Sequence, residues 1–539
     1  MSNLSTSKVI IIVVLILSGL LITALGYSYL QAPEILVPRN LLGVIRIEGS
    51  ILEAEDAEIV ISAINEAVTN SSIKAVVLRI DSPGGYADLV EQIYMDLLEL
   101  KKSKPVVASI TSALSGGYYI AVVADRLYAL PTSLIGNVGV IGVAPGTLIP
   151  SESLLETGAL KVVGFNRLLF PFNISRALEN FASAVEDCRG DKLKIDPKEL
   201  RRGGIYLGVE ALKIGLIDEL GSFQKAVETA TEMANIKYYE IVEIKGYNFS
   251  GTQKSSTKGS NDRLDWLSID TLNRINPPPA IYYLYLPSSA ILDNVEGFLT
   301  LNNSIRKISV PYTFSSVIVD LSHGNLVSEW EFDVLAAELA KRQIQILFLS
   351  SWDDLALALD NASGLIIAAP TKPYTMDEIL QVRRFVEKGK TLLLFFDPSA
   401  EYQTIPELLE PINSIANNFG ISFAKGYLYN EDENYGLYRN IYIKDFKNTS
   451  LTRDLKKLVL FTATHIHSLN SQAAWSSSNT YSSTAEKTGI YAPIVVVEDG
   501  GTLAAFGDIT FMMEPFCYVE DNYKLVLNIV SKLTGYESR

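Results

Sequence analysis

SALSGGYYIA, residues 112–121, follows the apolar run PVVASI (105–110) and precedes VVADRLYAL (122–130). Ser115-Gly116-Gly117 therefore falls where a buried strand gives way to a buried helix. Glycine costs a helix about 1 kcal/mol relative to alanine, so a bare backbone must gain something at this point. The chemistry that gains is a serine on a sharp turn, its hydroxyl presented beside backbone N–H groups able to hold an oxyanion. The surrounding pattern, strand to glycine turn to helix to strand, is that of an α/β fold.

A second such junction lies upstream in LRIDSPGGYADL, where Asp81-Ser82-Pro83-Gly84-Gly85 ends one apolar run and opens a helical pattern. N–H groups at a helix start lack intrahelical acceptors and are free for an anion. Taken alone, Pro-Gly-Gly is also an ordinary turn. Around these junctions LLGVIRI, IKAVVLRI, KPVVASI and DRLYAL read as strands, with EDAEIVISAINEAV and DLVEQIYMDLLELKK at helical spacing between them. Repeated βαβ units predict a largely parallel sheet covered by helices.

The chain has 539 residues, beyond a single ordinary core, and two or more domains are expected. Hydrophobic residues make up 48% and charged residues 20%, the balance of a folded chain. A net charge of −15, with no long basic stretch, argues against a nucleic-acid partner. Cys188 and Cys517 are far apart and form no disulfide framework or zinc site. The three histidines, His323, His465 and His467, all lie in the C-terminal half, so neither a Ser-His-Asp triad nor a Cys-His pair can form around residues 42–245.

Beyond a short tail (1–8), Val9 to Gly26 carries no charge and approaches the roughly 20 residues that cross a bilayer. With Lys8 before it and Tyr27 and Tyr29 after it, the stretch over 9–27 reads as a transmembrane anchor; a signal peptide cleaved near Ala24-Leu25-Gly26 is the other reading. Asn-x-Ser triplets at Asn70, Asn173, Asn248, Asn302, Asn361 and Asn448 favour an exported surface. The expected location is a single-pass cell-membrane protein with its bulk outside the cytoplasm.

Polar, aperiodic SGTQKSSTKGSNDR marks a flexible linker, set here at 246–279 and closed by Pro277–Pro279. After it, 280–539 repeats the strand and helix alternation in SSVIVDLSHGN, QIQILFLS, SGLIIAAP, KTLLLFFDP, APIVVVED and GTLAAFGD, which predicts a second, doubly wound α/β domain. Asp320, His323, Asp397 and Asp508 stand at strand C-terminal ends, where such sheets bind ligands and where capping roles are equally common. The pair His465 and His467 lacks nearby Cys or carboxylate partners, and no metal or cofactor is expected.

LRIDSPGG, then SGGYYIAVVADRLYALPTSLIGNVGVIG, then GGIYLGVEALKIGLIDELGS resemble, in that order, the signal peptide peptidase A family of Ser/Lys membrane peptidases over about residues 42–234. The resemblance implies a Clp/crotonase-like spiral of ββα units over 42–245, with Ser115 as nucleophile. It implies oxyanion donors among Gly84, Gly85 and Gly116, and a substrate strand along Asn137, Val138 and Gly139. The family's lysine base follows Thr/Ser-Gly-x-x-Lys, which Thr157-Gly158-Ala159-Leu160-Lys161 supplies; no other lysine lies between Lys104 and Lys192. Val162 stands where the family often has aspartate, and Asn137 where it commonly has serine. The apolar residues after Lys161 are expected to desolvate its amine. The second region resembles non-catalytic class I glutamine amidotransferase-like domains, a binding or assembly module.

The implied function is a membrane-anchored serine endopeptidase that degrades remnant signal peptides or other hydrophobic membrane peptides as a homo-oligomer, its partners being peptide or protein substrates. A stomatin-directed membrane protease, a non-catalytic extracytoplasmic scaffold and a crotonase-like acyl-CoA enzyme are the alternatives.

Overall fold

The computed structural model describes residues 6–30, 40–146, 157–158, 160–247, 268–286, 315–399 and 408–535. The N-terminal tail up to residue 5, Ala159, most of the linker, Asn248 and Asn302 lie outside them. Helix α1 (Thr6–Leu30) covers the apolar N-terminal stretch; its described side chains, among them Leu15, Leu21 and Ile22, are exposed. Among the described residues, no helix is long and apolar enough to cross a membrane.

Contacts divide the chain into two units. One comprises Met1–Gly139, Phe181–Thr257 and Tyr282–Tyr285; the other comprises Val140–Asn180, Lys258–Ile281 and Leu286–Arg539.

The first unit is built on β1 (Leu41–Glu48), β2 (Ile73–Ser82), the short β3 (Gly84–Tyr86), β4 (Val106–Leu114) and β5 (Arg126–Gly136). Strands β1, β2, β4 and β5 pair in parallel, so each apolar run is buried on both faces. Between them run α2 (Ala54–Thr69), α3 (Ala87–Ser103) and α4 (Gly116–Ala121). The start of α2 is closed by the Asp56 carboxylate, which accepts from the N–H groups of Leu52 (3.1 Å) and Glu53 (3.0 Å). Lys101 and Lys102 sit in the last turn of α3, where they oppose the helix dipole.

After β6 (Ile141–Val143), which falls in the other unit, come α5 (Phe170–Arg189), α6 (Pro197–Arg201), β7 (Ile205–Leu207), α7 (Gly208–Lys213), β8 (Glu219–Leu220), α8 (Phe223–Met233) and β9 (Glu240–Glu243). Strand β9 extends the sheet beyond β1, while β7 pairs antiparallel with the end of β5. Ala226, Val227 and Ala230 of α8 pack on Leu42, Ala75, Val77 and Val107, one face of the sheet. Strand alternation turns Val76, Leu78 and Ile80, also fully buried, to the opposite face.

In the second unit, β11 (Ser316–Asp320), β12 (Gln345–Leu349), β13 (Ala362–Ala368) and β14 (Thr391–Phe395) join a parallel sheet in the order β12-β11-β13-β14, continued by Gly501–Phe506. Gly501–Phe506 then forms an antiparallel pair with Ile494–Asp499. Val317, Val319, Ile366, Leu393 and Phe395 face one core with helix Asn522–Thr534, and Ile318, Leu365, Ile367, Leu392 and Leu394 face another with helix Met376–Glu387. Helices thus cover both faces of a doubly wound α/β sheet.

Just past two neighbouring strands of this sheet lie Asp397 and Asp508, both fully buried. Asp508 accepts from the N–H groups of Phe461 and Thr510, each at 2.7 Å, and Asp397 from Ser399 N–H at 2.8 Å. Burial, and for Asp508 the neighbouring Asp397, raise both carboxyls above their ordinary range. The folded chain therefore holds a proton that the unfolded chain releases above about pH 4, and stability falls as pH rises from there through the raised values. Asp508→Asn removes this dependence, and its amide nitrogen faces one of the two N–H donors, a loss that does not vary with pH. Its melting temperature relative to wild type should therefore rise by roughly 4 °C between pH 4 and pH 8, as calorimetry across that range will read.

Candidate active site

Ser115 caps α4 with φ 49 and ψ −119, a conformation that non-glycine residues adopt only under constraint. The constraint is visible in the backbone: Ser115 N–H donates to Gly136 O (2.8 Å), and Ser115 O accepts from the N–H groups of Tyr118 and Tyr119 (2.9 Å each). Its side chain is buried, with Oγ 3.5 Å from Gly139 O, a contact too long to hold the hydroxyl firmly. Gly116 occupies the first position of α4, where the helix itself offers its N–H no acceptor.

The two glycine junctions meet. A Cβ on Gly84 would lie 2.5 Å from Gly116 N, and one on Gly117 would lie 2.3 Å from Ser82 O, so only glycine permits this approach. Gly84, at φ 98, donates its N–H to Ser82 Oγ (3.1 Å), and Ser82 Oγ donates to Gly49 O (2.7 Å). The Gly84 N–H is thus engaged within its own junction. Gly85 is held tightly too, since a Cβ there would come within 1.9 Å of Ile51 O.

Asn137 follows β5 at φ 55, its N–H bonded to Gly204 O (2.7 Å) and its Nδ2 to Gly203 O (2.8 Å). Val138, buried, and Gly139 follow outside any strand, with Gly139 O the acceptor nearest Ser115 Oγ among the described hydrogen bonds.

Lys161 lies in a turn, exposed, and among the described residues its Nζ has no hydrogen-bond or ion-pair partner. Leu160, Val162 and Leu169 are exposed as well, at 45%, 54% and 54%. Among the described residues, the apolar neighbours expected to dehydrate the amine are therefore exposed. This segment groups by contact with the second unit: Phe172 packs edge-on against Tyr435 (5.0 Å), and the Arg167 guanidinium lies over Phe516 (5.6 Å).

Sequence reasoning passed over Glu91 and the strand β10 (Ala280–Leu284). β10 pairs antiparallel with β3, and Tyr282–Tyr285 belong by contact to the first unit, not to the region beyond the linker. The run IYYLYL carries strand composition, but nothing in it names the sheet it joins.

In the second unit the remaining candidates bond within the chain. Ser322 Oγ donates to Asp320 (2.6 Å), His323 Nδ1 lies 3.2 Å from the same carboxylate, and Tyr374 stacks on the His323 ring and donates to Asp320. His465 Nδ1 accepts from Ala492 N–H (2.9 Å), and burial together with His467 lowers its pKa to about 4. Among the described residues, no group of three or more His, Cys, Asp or Glu could hold a metal ion.

Residues 99–146 match the model of Peptidase family S49. Protease 4 of Haemophilus influenzae is 30% identical over 218 residues, covering 36% of this chain and 35% of that protein. A Synechocystis sp. protein named "Putative protease slr0021" is 31% identical over 187 residues, covering 32% of this chain and 67% of that one. Among solved structures, a membrane-bound stomatin-specific protease in complex with a substrate peptide aligns at 17% identity over 40% of this chain and 95% of the other, with a TM-score of 0.28. The chain spans about a third of the length of the Protease 4 relatives, 35% and 36%. By its motifs and by its match to these relatives, the chain belongs to peptidase family S49.

Proposed function

We propose that the chain is a serine endopeptidase with Ser115 as nucleophile and Lys161 as general base, acting on hydrophobic peptides such as remnant signal peptides. The observation that carries this reading is the strained Ser115 turn, with Gly84 and Gly116 brought together beside it. Lys161 takes the proton from Ser115, whose oxygen attacks the peptide carbonyl. The N–H groups of Gly85 and Gly116 hold the oxyanion, the amine leaves with the proton, and water releases the acyl group. The parallel sheet with β3 leading from it is consistent with a Clp/crotonase-like unit.

A lysine serves as a base once its amine is stripped of water. Among the described residues Lys161 and its apolar neighbours are exposed, and we read the chain as a homo-oligomer in which a second copy completes the site. The anchor reading rests on the uncharged stretch over 9–27 as sequence alone, and with it goes the proposal that the bulk of the chain is extracytoplasmic. The second unit we read as a glutamine amidotransferase-like binding or assembly module. In keeping with that, Cys517 is buried and its pKa is pushed up to about 12, the reverse of a nucleophilic thiol.

Hydrolysis of a hydrophobic signal-peptide sequence by the full chain in detergent tests the assignment. Lys161→Ala should lower kcat by about 10²–10⁴-fold, the usual contribution of a general base. An unchanged rate removes Lys161 from the site. A folded, oligomeric wild type that cuts nothing between neutral and alkaline pH favours the scaffold alternative.

A further inference from the structure

An edge strand has one row of N–H and C=O groups, so it pairs with one partner at a time. The edge beside Ser115 is β3, and its partner is the chain's own β10, with Tyr282 opposite Tyr86, Tyr283 opposite Gly85 and Leu284 opposite Gly84. Tyr285 N–H extends the ladder to Pro83 O at 2.9 Å.

The Tyr283 carbonyl oxygen points at the paired glycines. A Cβ on Gly84 would lie 2.0 Å from it, and one on Gly116 2.7 Å, so the oxygen sits between the residues that flank the proposed oxyanion site. The Tyr283 side chain is wholly buried. Its ring stacks on Tyr119 of α4 (5.2 Å) and meets Phe181 of α5 (5.1 Å), and its hydroxyl donates to Glu91 Oε1 (2.8 Å). Alanine would fill none of this pocket, and phenylalanine would leave Glu91 facing an apolar ring edge.

We infer that β10 is an internal occupant of the peptide-binding edge: it lies as a substrate strand would, with Tyr283 presenting its carbonyl to the glycines and its ring to the pocket formed by Tyr119, Phe181 and Glu91, and it excludes outside peptides until it leaves β3. The inference rests on the Ser/Lys reading and adds to it a blocking segment and a class of ligand, an extended peptide with tyrosine at the position whose carbonyl is attacked. No bond breaks in this step; the strand competes by occupancy alone.

Binding without turnover tests it, using the full chain carrying Ser115→Ala and the fluorescein-labelled peptide Ala-Ile-Tyr-Tyr-Leu-Tyr, read by anisotropy. Adding Tyr283→Asp should tighten apparent binding by about tenfold or more, because affinity scales with the fraction of chains whose edge is free. Tyr285→Pro, which removes a ladder bond and leaves the pocket intact, should act in the same direction if Tyr283→Asp fails to fold. A peptide with alanine for its second tyrosine should bind the released chain about tenfold more weakly, the loss expected for an unfilled aromatic pocket. Equal binding with and without release, or equal binding of the two peptides, overturns the inference. With Ser115 restored, a released chain that binds the peptide yet never cuts it removes the Ser/Lys assignment and leaves the occupancy standing. One that cuts a signal peptide equally fast in both forms keeps the assignment and removes the occupancy.

Discussion

Ser115→Ala should lower kcat/KM on a hydrophobic peptide by a factor on the order of 10⁴–10⁶, the loss seen when a nucleophile is removed from a site whose parts act as a unit. Its stability should stay within about 1 kcal/mol of wild type, because among the described residues the hydroxyl makes only the 3.5 Å contact to Gly139 O and alanine meets the same backbone angles as serine. Steady-state hydrolysis and urea denaturation of the same preparations separate the two effects. Retained cleavage places the nucleophile elsewhere; lost cleavage together with lost folding makes Ser115 structural. The lower limit of the range reflects what the Gly85 and Gly116 N–H groups can still do for an attacking water.

The largest expected loss of stability lies away from that serine. Arg189, 2% exposed at its side chain, donates through Nε to Gly215 O (2.8 Å) and through its two terminal nitrogens to Asp218 (3.0 and 3.3 Å), itself 5% exposed. Lys192 Nζ reaches the same carboxylate at 2.8 Å, and Leu127 N–H at 2.8 Å. Arg189→Ala leaves a buried carboxylate short of its buried, two-pronged cationic partner and should cost about 3 kcal/mol, toward the lower limit for a broken buried pair because Lys192 remains. Burial acts to raise the Asp218 carboxyl, but the bonds from Arg189, Lys192 and Leu127 outweigh it and hold the group below its ordinary range. A carboxyl depressed on folding adds stability that is fully present above its unfolded value, near pH 4, and is lost as pH falls through the folded value. The deficit of Arg189→Ala should therefore be greatest at neutral pH and shrink in acid. A constant deficit from pH 7 to pH 3 would assign the cost to lost packing of the arginine stem instead.

Strands with continuous apolar runs, such as IKAVVLRI, were legible because burial on both faces leaves a composition that no amphipathic helix carries. The glycine junctions were legible for a related reason: a positive φ at Gly84 and backbone contacts below 3 Å at Gly84, Gly85 and Gly117 exclude any side chain, and such a demand shows in a single sequence. Lys161 was placed by motif, whereas its exposure was not readable, since the orientation of Leu160 and Val162 depends on what the turn packs against. The bond from Asn137 Nδ2 to Gly203 O was not readable either, because its partner is distant in sequence. The pairing of β10 with β3 was beyond reach for the same reason: antiparallel addition to an edge is specified by backbone groups, which every residue possesses.

The angles of Ser115 carry an implication for how such a chain changes over generations. Glycine adopts them without the roughly 1–3 kcal/mol of strain that serine bears there. A single base change in some serine codons yields glycine, so one mutational step both silences the proposed nucleophile and relaxes the backbone that presents it. Stability alone would drive descendants toward the silent form, and only selection for the hydroxyl holds the lineage on the strained side of that step.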